Sequence, residues 1–431
     1  MFNGWKKVVI RPELSEKVSL YTFEKEFFLV RHFPFGFAAL TVKAAAPLLD
    51  GSLEELPENI RAYIYKGVPA SGKKGRVLRR LNLIVSQVCN CRCSYCYAGD
   101  GGYGGVGFMA ARTMKDAIDR ALDYYDKVVS IQFFGGEPLL APALIEEGII
   151  YAEKGASERK KPLPAFSVVT NLTVLPDNIL ELVKRGKLSI LTSLDGPKEV
   201  HDHNRVFSGG APTYDTVTGN IRRLAPYSQP RTVEATYTGR HRALGIGPME
   251  VKKHILSLCP GAAVVVVPQL GMDESAAARV AHAELAEIWS AGADPASPLV
   301  KASVRRYLRL LKAKERREYF CDLGRENFTV DASGRVWPCQ VFCGKGAPLG
   351  RIEDDWDTLR GRFAGNPAAR NKASLPNCAA CFLQEYCTSC PGTWRSNGGS
   401  LEPSKKQCET DRGAYLTAFL LAFRAQKGTN K

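Results

Sequence analysis

The chain has 431 residues, 45% of them hydrophobic and 24% charged, with a formal net charge of +15. That length provides for a sizeable core and more than one domain. Its longest apolar runs, Ala262–Val267 and Tyr415–Phe423, fall far short of the roughly 20 residues a bilayer-spanning helix needs. Met1–Ser15 carries Lys6, Lys7 and Arg11 in place of the apolar centre of a secretory signal, so the expected compartment is the cytoplasm. The positive charge is spread, without a basic stripe interleaved with aromatics, and the expected partners include neither membrane nor nucleic acid.

Residues 1–75 have Pro and Gly punctuation and a helix around Leu56–Tyr65, the pattern of a small accessory domain. From Arg80 to Val267 strand-like runs alternate with helix-like ones, the signature of β/α units on a parallel sheet. The strands are read at Leu81–Val85, Val128–Phe134, Phe166–Thr170, Leu188–Leu194, Thr232–Tyr237 and Ala262–Val267. A helix after the first strand is predicted to start behind a Thr113 cap, with Met114, Ala117, Ile118, Ala121, Leu122 and Tyr125 at helical spacing. Six such units make a partial, TIM-like (β/α)6 barrel, assigned to residues 80–312. Residues 319–411 form a cysteine-rich module with few strand signals, and Arg412–Ala425 within 412–431 is predicted as a closing helix.

The residues able to do chemistry fall just after the strands: a cysteine loop after the first, Gly135–Pro138 after the second, Thr170–Asn171 after the third. Ser193–Pro197 follows the fourth, and Thr236–Thr238 with His241 the fifth. Parallel β/α barrels build their sites at this end of the strands, so one cavity is expected. The glycine-rich stretch Gly101–Gly107 lacks a P-loop lysine and is read as a lid beside the cysteine loop.

Thirteen cysteines, an odd number in short-interval groups, point to metal ligation in a reducing compartment. Cys89, Cys93 and Cys96 satisfy C-x3-C-x2-C, with Tyr95 before the last. Three thiolates can bind three irons of a [4Fe–4S] cube and leave the fourth open to chelate a cofactor. The alternative is a zinc knuckle with Cys91 as fourth ligand, in a basic protein that binds nucleic acid without catalysis. Cys259, beside Pro260 at a helix end, reads as a core thiol.

The loop, followed by Gly135-Gly136-Glu137-Pro138 and Ser193-Leu194-Asp195-Gly196-Pro197, resembles the radical S-adenosylmethionine (SAM) superfamily over roughly Leu81 to Cys408. The resemblance implies that Gly135, Gly136 and Glu137 line the methionyl amino-group site, that Tyr95 packs near the adenine, and that Ser193 helps hold SAM. It also implies that Arg205 pairs with the SAM carboxylate, the competing reading being a surface ion pair.

Gly334-x4-Cys339, Cys378-x2-Cys381-x5-Cys387-x2-Cys390 and Cys408 resemble the SPASM extension of that superfamily, with two auxiliary [4Fe–4S] clusters and so three in all. By that pattern Cys378, Cys381, Cys387 and Cys408 hold the outer cluster, and Cys321, Cys339 and Cys390 the inner one, with Cys343 as its added ligand. The interval before Cys390, Thr388-Ser389, is one residue shorter than the family pattern.

Trp337–Phe342 and Glu234–Thr238 resemble segments of peptide maturases that build thioether or related crosslinks in ribosomally made precursors. A precursor peptide and an electron donor such as flavodoxin or ferredoxin are therefore the implied partners, and residues 1–75 sit where such enzymes keep a leader-recognition domain. The chain also resembles anaerobic sulfatase-maturating enzymes, which carry an acid where Gln340 stands here.

Overall fold

The computed structural model describes residues 4–10, 12–32, 35–50, 56–65, 75–105, 107–273, 277, 280–311, 318–366, 369–379, 381–387, 389–397 and 400–428. Val106, Thr388 and the expected barrel end at residue 312 lie outside them. The chain divides into two compact units, residues 1–72, 273–321 and 370–431 in one and 73–272 with 322–369 in the other. The boundaries therefore differ from those read along the sequence. Residues 273–311 leave the expected barrel segment, and 322–369 leave the cysteine-rich one.

The first unit contains a four-stranded antiparallel sheet in the order β1 (Lys6–Val8), β2 (Val18–Phe23), β3 (Glu26–Arg31), β4 (Gly36–Leu40). The helix Val42–Asp50 packs on β3 and β4, and the helix expected near Leu56–Tyr65 spans Glu58–Ile64. Leu14, Val18, Leu20, Leu29, Leu48 and Ile60 meet in the core of this part. The closing helix runs Lys405–Gly428, starting two turns before the expected Arg412, so that Cys408 sits inside it. Helices Ala283–Ser290 and Pro298–Leu311 pack against it through Leu285, Val300, Val304 and Ala418.

The second unit holds the barrel. A short pair, β5 (Val77–Leu78) with β7 (Lys127–Val128), flanks β6 (Arg80–Ser86). The predicted run Val128–Phe134 is thus two elements, because Val129 turns out of line between β7 and β8 (Ser130–Gly135). Next come β9 (Ala165–Thr170), β10 (Ser189–Ser193), β11 (Thr232–Tyr237) and β12 (Ala263–Pro268). All six of these larger strands pair in parallel, as the β/α alternation requires.

Beyond β6 the same sheet continues through β13 (Asn327–Val330), parallel to β6, and then β14 (Arg335–Trp337) and β15 (Gly350–Arg351), both antiparallel. The final order is β12-β11-β10-β9-β8-β6-β13-β14-β15, an open nine-stranded sheet. Residues read as strand-poor thus supply three strands. In β9 Phe166, Val168 and Thr170 are buried while Ala165, Ser167 and Val169 are not; β10 alternates likewise, and β11 does so up to Ala235, after which Thr236 and Tyr237 are buried as well. Each large buried side chain on that face contributes about 1.5–3 kcal/mol relative to exposure. The helix after β6 begins at Ala111 with Ala110 as its cap, so Thr113 lies inside the first turn and is not the cap.

Candidate active site

The loops after β6, β8, β9, β10 and β11 lie together at the carboxyl ends of the strands, and side-chain hydrogen bonds join them into one wall. Glu137 is fully buried. Its Oε1 accepts from Leu139 N at 2.9 Å and Thr170 Oγ1 at 2.7 Å, and its Oε2 from Asn171 N at 2.7 Å. Burial lifts its carboxyl from 4.5 to about 7, although these three donors pull the other way. These bonds tie the end of β8 to the end of β9 through the Glu137 carboxylate.

Gly135 and Gly136 are required by close backbone approach. A Cβ on Gly135, at φ +147°, would stand 2.1 Å from the Ser86 carbonyl, and one on Gly136 would stand 2.5 Å from that of Val88. Glycine is what lets the end of β8 lie flat against the start of the cysteine loop.

Asn171 reaches the cysteine loop from β9: its Nδ2 donates to Asn90 Oδ1 at 3.0 Å and Cys91 Sγ at 3.3 Å, and lies 3.9 Å from Cys89 Sγ. The loop is clamped on its other side by residues 204–208, with Arg92 N bonded to Val206 O, Ser94 N to Asn204 O, and Ser208 N to Asn90 O. Cys89, Cys93 and Cys96 are half-buried, and Cys91 is buried. The Cys91 thiol donates to Cys89 and holds that group down at about 6, while Cys91 itself is raised and stays protonated. Among the described residues no three His, Cys, Asp or Glu side chains converge on one point as a single metal ion requires.

Asp195, also fully buried, is the second hub. Its Oδ2 accepts from Tyr95 Oη at 2.6 Å, and its Oδ1 from Arg205 Nε at 3.1 Å and Thr236 N at 3.1 Å. Burial works to raise this carboxyl, but Arg205 and these donors outweigh it and hold it below the ordinary range. Arg205 stacks 5.2 Å over the Tyr95 ring and brings Nη1 to 3.9 Å from Cys93 Sγ. With side chains 11% and 0% exposed, the Arg205–Asp195 pair is buried, so the surface-pair reading of Arg205 does not hold. His241 Nε2 donates to Asp195 O at 2.7 Å, and His201 Nδ1 accepts from Asp195 N at 3.3 Å. Ser193 closes β10, half-buried, in register with Glu234 of β11.

Neither Asp195 nor Asn171 had been assigned a role from sequence. The signal was present in both, as polar residues immediately after strands. The first part of the glycine-rich stretch, Gly101–Tyr103, is buried against the cysteine loop, while Gly104 is exposed with nothing near its Cβ. Tyr103 is buried, Gln87 Nε2 donates to Gly102 O at 2.7 Å, and a Cβ on Gly101 would meet Cys89 Cβ at 2.6 Å.

Of the remaining cysteines, Cys339 and Cys343 flank the single turn Gln340–Phe342 in the barrel unit. Cys343 is buried among Ile84, Ala98, Tyr103 and Trp337, and burial pushes its thiol up to about 12. Gln340 Oε1 accepts from Asn82 Nδ2 at 3.3 Å. Cys321 and Cys390 belong to the other unit, as do Cys378, Cys381, Cys387 and Cys408. Cys378 and Cys387 share one apolar cluster, and Cys381 and Cys387 another. Cys259 caps the helix Pro248–Leu258 and is fully buried, a core thiol.

The barrel unit is thus an open, mainly parallel sheet whose first loop carries Cys89, Cys91, Cys93 and Cys96 at the carboxyl ends of the strands. Residues 83–241 match the family model of the radical SAM superfamily. A stretch of 165 residues is 33% identical to an uncharacterized protein of Methanocaldococcus jannaschii, covering 38% of this chain and 54% of that one. A cysteine-type anaerobic sulfatase-maturating enzyme of Clostridium perfringens is 28% identical over 32% of this chain and 39% of its own length. The radical SAM cyclopropyl synthase TigE of Paramaledivibacter caminithermalis is 28% identical over 35% and 33%. The matched stretch thus spans about half or less of these relatives. Among solved structures, native anSMEcpe with bound AdoMet and Cp18Cys peptide matches with a TM-score of 0.63 at 19% identity, over 81% of this chain and 99% of that one. That likeness concerns the fold. Among the described residues no helix is long and apolar enough to cross a membrane.

Proposed function

We propose that the chain is a radical SAM peptide maturase that installs a thioether or other side-chain crosslink in a ribosomally made precursor. The carrying observation is the loop bearing Cys89, Cys93 and Cys96 at the carboxyl ends of the barrel strands, with N–H donors from Asn171 and Arg205 facing the Cys89 and Cys93 sulfurs. Such donors favour thiolates, the form in which cysteine ligates a [4Fe–4S] cluster. When bound, the cluster and SAM supply a 5′-deoxyadenosyl radical, and auxiliary clusters supply an electron acceptor.

The chain's own residues bind and orient. Ser193 and the backbone of Gly135 and Gly136 border the SAM site. Glu137 lines the methionyl amino-group side of that site, and Tyr95 and Arg205 are held there by Asp195. Cys321, Cys339, Cys343 and Cys390 are assigned to the inner auxiliary cluster, and Cys378, Cys381, Cys387 and Cys408 to the outer. Residues 1–75 are assigned leader recognition, and a flavodoxin or ferredoxin the supply of electrons.

A second reading, oxidation of a sulfatase side chain to formylglycine, is favoured by the likeness to the Clostridium perfringens enzyme. It is disfavoured by Gln340, an amide tied to Asn82 where that group of enzymes carries an acid. Anaerobic co-expression with a small cysteine-containing precursor is expected to give a peptide lighter by two hydrogens per crosslink, with the matching loss of alkylatable thiol. The combined change Cys89→Ala, Cys93→Ala, Cys96→Ala is expected to abolish SAM cleavage and leave auxiliary iron. An unmodified peptide together with formylglycine in a sulfatase would transfer the assignment to the second reading, and undiminished SAM cleavage by the triple variant would sink both.

A further inference from the structure

Among the described strand residues of the nine-stranded sheet there is a single acid, Glu234 of β11. The register fixes the face it occupies. A Cβ on Gly148 of the helix Pro142–Glu158 would stand 3.1 Å from the Phe133 ring, so Phe133 points to the helix-covered side. Phe133 is level with Val168, Val168 with Ile190, and Thr192, two residues on, with Val233. Glu234 follows Val233 and so points away from the helices, into the barrel, level with Ser193 of β10 and Val265 of β12. Asn82, Gln132 and Ser167 share that inner face by the same register. Gln132 Nε2 donates to Ser167 Oγ at 3.2 Å, and Asn82 Nδ2 donates to Thr329 Oγ1 at 3.1 Å and Gln340 Oε1 at 3.3 Å.

Glu137 and Asp195 have their carboxylate oxygens engaged by donors of the protein. The Glu234 carboxylate has no hydrogen bond or ion pair among the described residues. Its side chain is exposed, yet burial lifts its carboxyl above the ordinary range, with Arg205 working against the rise and Asp195 adding to it. An exposed group raised in this way lines a concave surface, open to a ligand and surrounded by protein. The titratable groups that face it are Arg205, Asp195 and the Tyr97 hydroxyl, while Ser193 and Val265 beside it are neutral.

We infer that Glu234 is the base that takes the proton of the substrate thiol before the carbon–sulfur bond forms. This rests on the crosslinking reading given above and adds a residue to it. The peptide loses two hydrogens in that reaction. One leaves carbon as an atom and passes to the 5′-deoxyadenosyl radical; the other leaves sulfur as a proton and passes to the Glu234 carboxylate. The thiolate then bonds to the carbon radical, and the surplus electron goes to an oxidised [4Fe–4S] auxiliary cluster. Amide and hydroxyl groups such as Asn82, Gln132, Gln340 and Ser193 cannot store a proton at neutral pH. Glu234 is the group on this face that can, and solvent access lets it return the proton to water afterwards.

The test uses the full-length, cluster-loaded enzyme with SAM, dithionite and a cysteine-containing precursor, and reads crosslinks formed per 5′-deoxyadenosine released as the pH is raised. In the wild type this ratio should be flat from neutral pH upward. In Glu234→Gln it should fall about 30-fold at about pH 7, the thiolate fraction of a free cysteine with a pKa of about 8.5, and climb about tenfold per pH unit below that value. Glu234→Asp, which keeps the charge, should keep the flat profile. Peptide affinity, read by fluorescence anisotropy of a labelled precursor, and iron content should match wild type in all variants. If Glu234→Gln does not fold, Glu234→Thr, suited to a strand, carries the same expectations. A wild-type ratio in Glu234→Gln at neutral pH, or lost peptide affinity in place of the pH-dependent loss, would overturn the inference. A wild-type enzyme that cleaves SAM and forms no crosslink would instead overturn the crosslinking reading, and this assignment with it.

Discussion

Glu137 separates a structural carboxylate from a ligand-facing one, and its replacement has a size that can be worked out. Glu137→Ala removes the acceptor from two backbone N–H groups, those of Leu139 and Asn171, and from the Thr170 hydroxyl. An orphaned buried N–H costs about 1–3 kcal/mol, and the hydroxyl can rotate to another acceptor. Lost side-chain packing adds to this, so about 3–5 kcal/mol is expected. Glu137→Gln keeps one oxygen for Leu139 and Thr170 but turns an amide N–H₂ toward the Asn171 N–H. It also escapes the burial cost that lifts the wild-type carboxyl to about 7, which leaves a net loss of roughly 1–2 kcal/mol. In thermal unfolding followed by near-ultraviolet circular dichroism, the alanine variant should melt on the order of 10 °C lower and the glutamine variant a few degrees lower. An alanine variant within 2 °C of wild type, or a glutamine variant less stable than the alanine one, would refute the hub role.

Gly135→Ala should cost about 3 kcal/mol or more and abolish SAM binding in equilibrium dialysis, because its Cβ meets the backbone oxygen of Ser86, which cannot move aside. Gly219→Ala, in the helix Tyr214–Leu224 with nothing near its Cβ, should instead stabilise by roughly 0.5–1 kcal/mol. Burial pushes His201 down to about 4, so the unfolded chain binds the extra proton, and the stability due to the neutral ring is present above pH 6.5 and lost as the pH falls toward 4. Between pH 7 and pH 5 that is a loss of roughly 2 kcal/mol, to be read from denaturant unfolding as a pH-dependent difference that His201→Gln lacks.

The barrel strands were legible because β-branched and apolar residues gather in runs of five to seven bounded by turn residues; β6 is buried on both faces and β10 on one. The added strands were not, since β13 to β15 have only 4, 3 and 2 residues. Their one readable mark is Asp331, fully buried, which accepts from Ser333 N, Arg335 N and Trp337 Nε1 and so shapes the turn from β13 into β14. The cysteine spacings located the first loop, but spacing is silent on whether a thiol such as Cys343 faces a cluster or a core. The same silence covered carboxylates. Glu137 and Asp195 sit in the expected motifs, yet which way each points depends on donors from strands far along the chain.

That last dependence explains how a loop with no regular secondary structure is held for ligation. The cysteine loop is held by backbone bonds to residues 204–208 and by side chains delivered from other strands. Asn171 reaches it from β9, and Asp195 draws Tyr95 toward β10 while joining β10 to β11 through Thr236 N. Glu137 fixes Asn171 by its backbone N–H, so the two hubs act in series on the same loop from opposite sides. Placement by rigid strand ends fixes the sulfurs before any cofactor arrives, which lowers the ordering cost of binding one. A change at either hub should therefore weaken cluster retention without touching a cysteine.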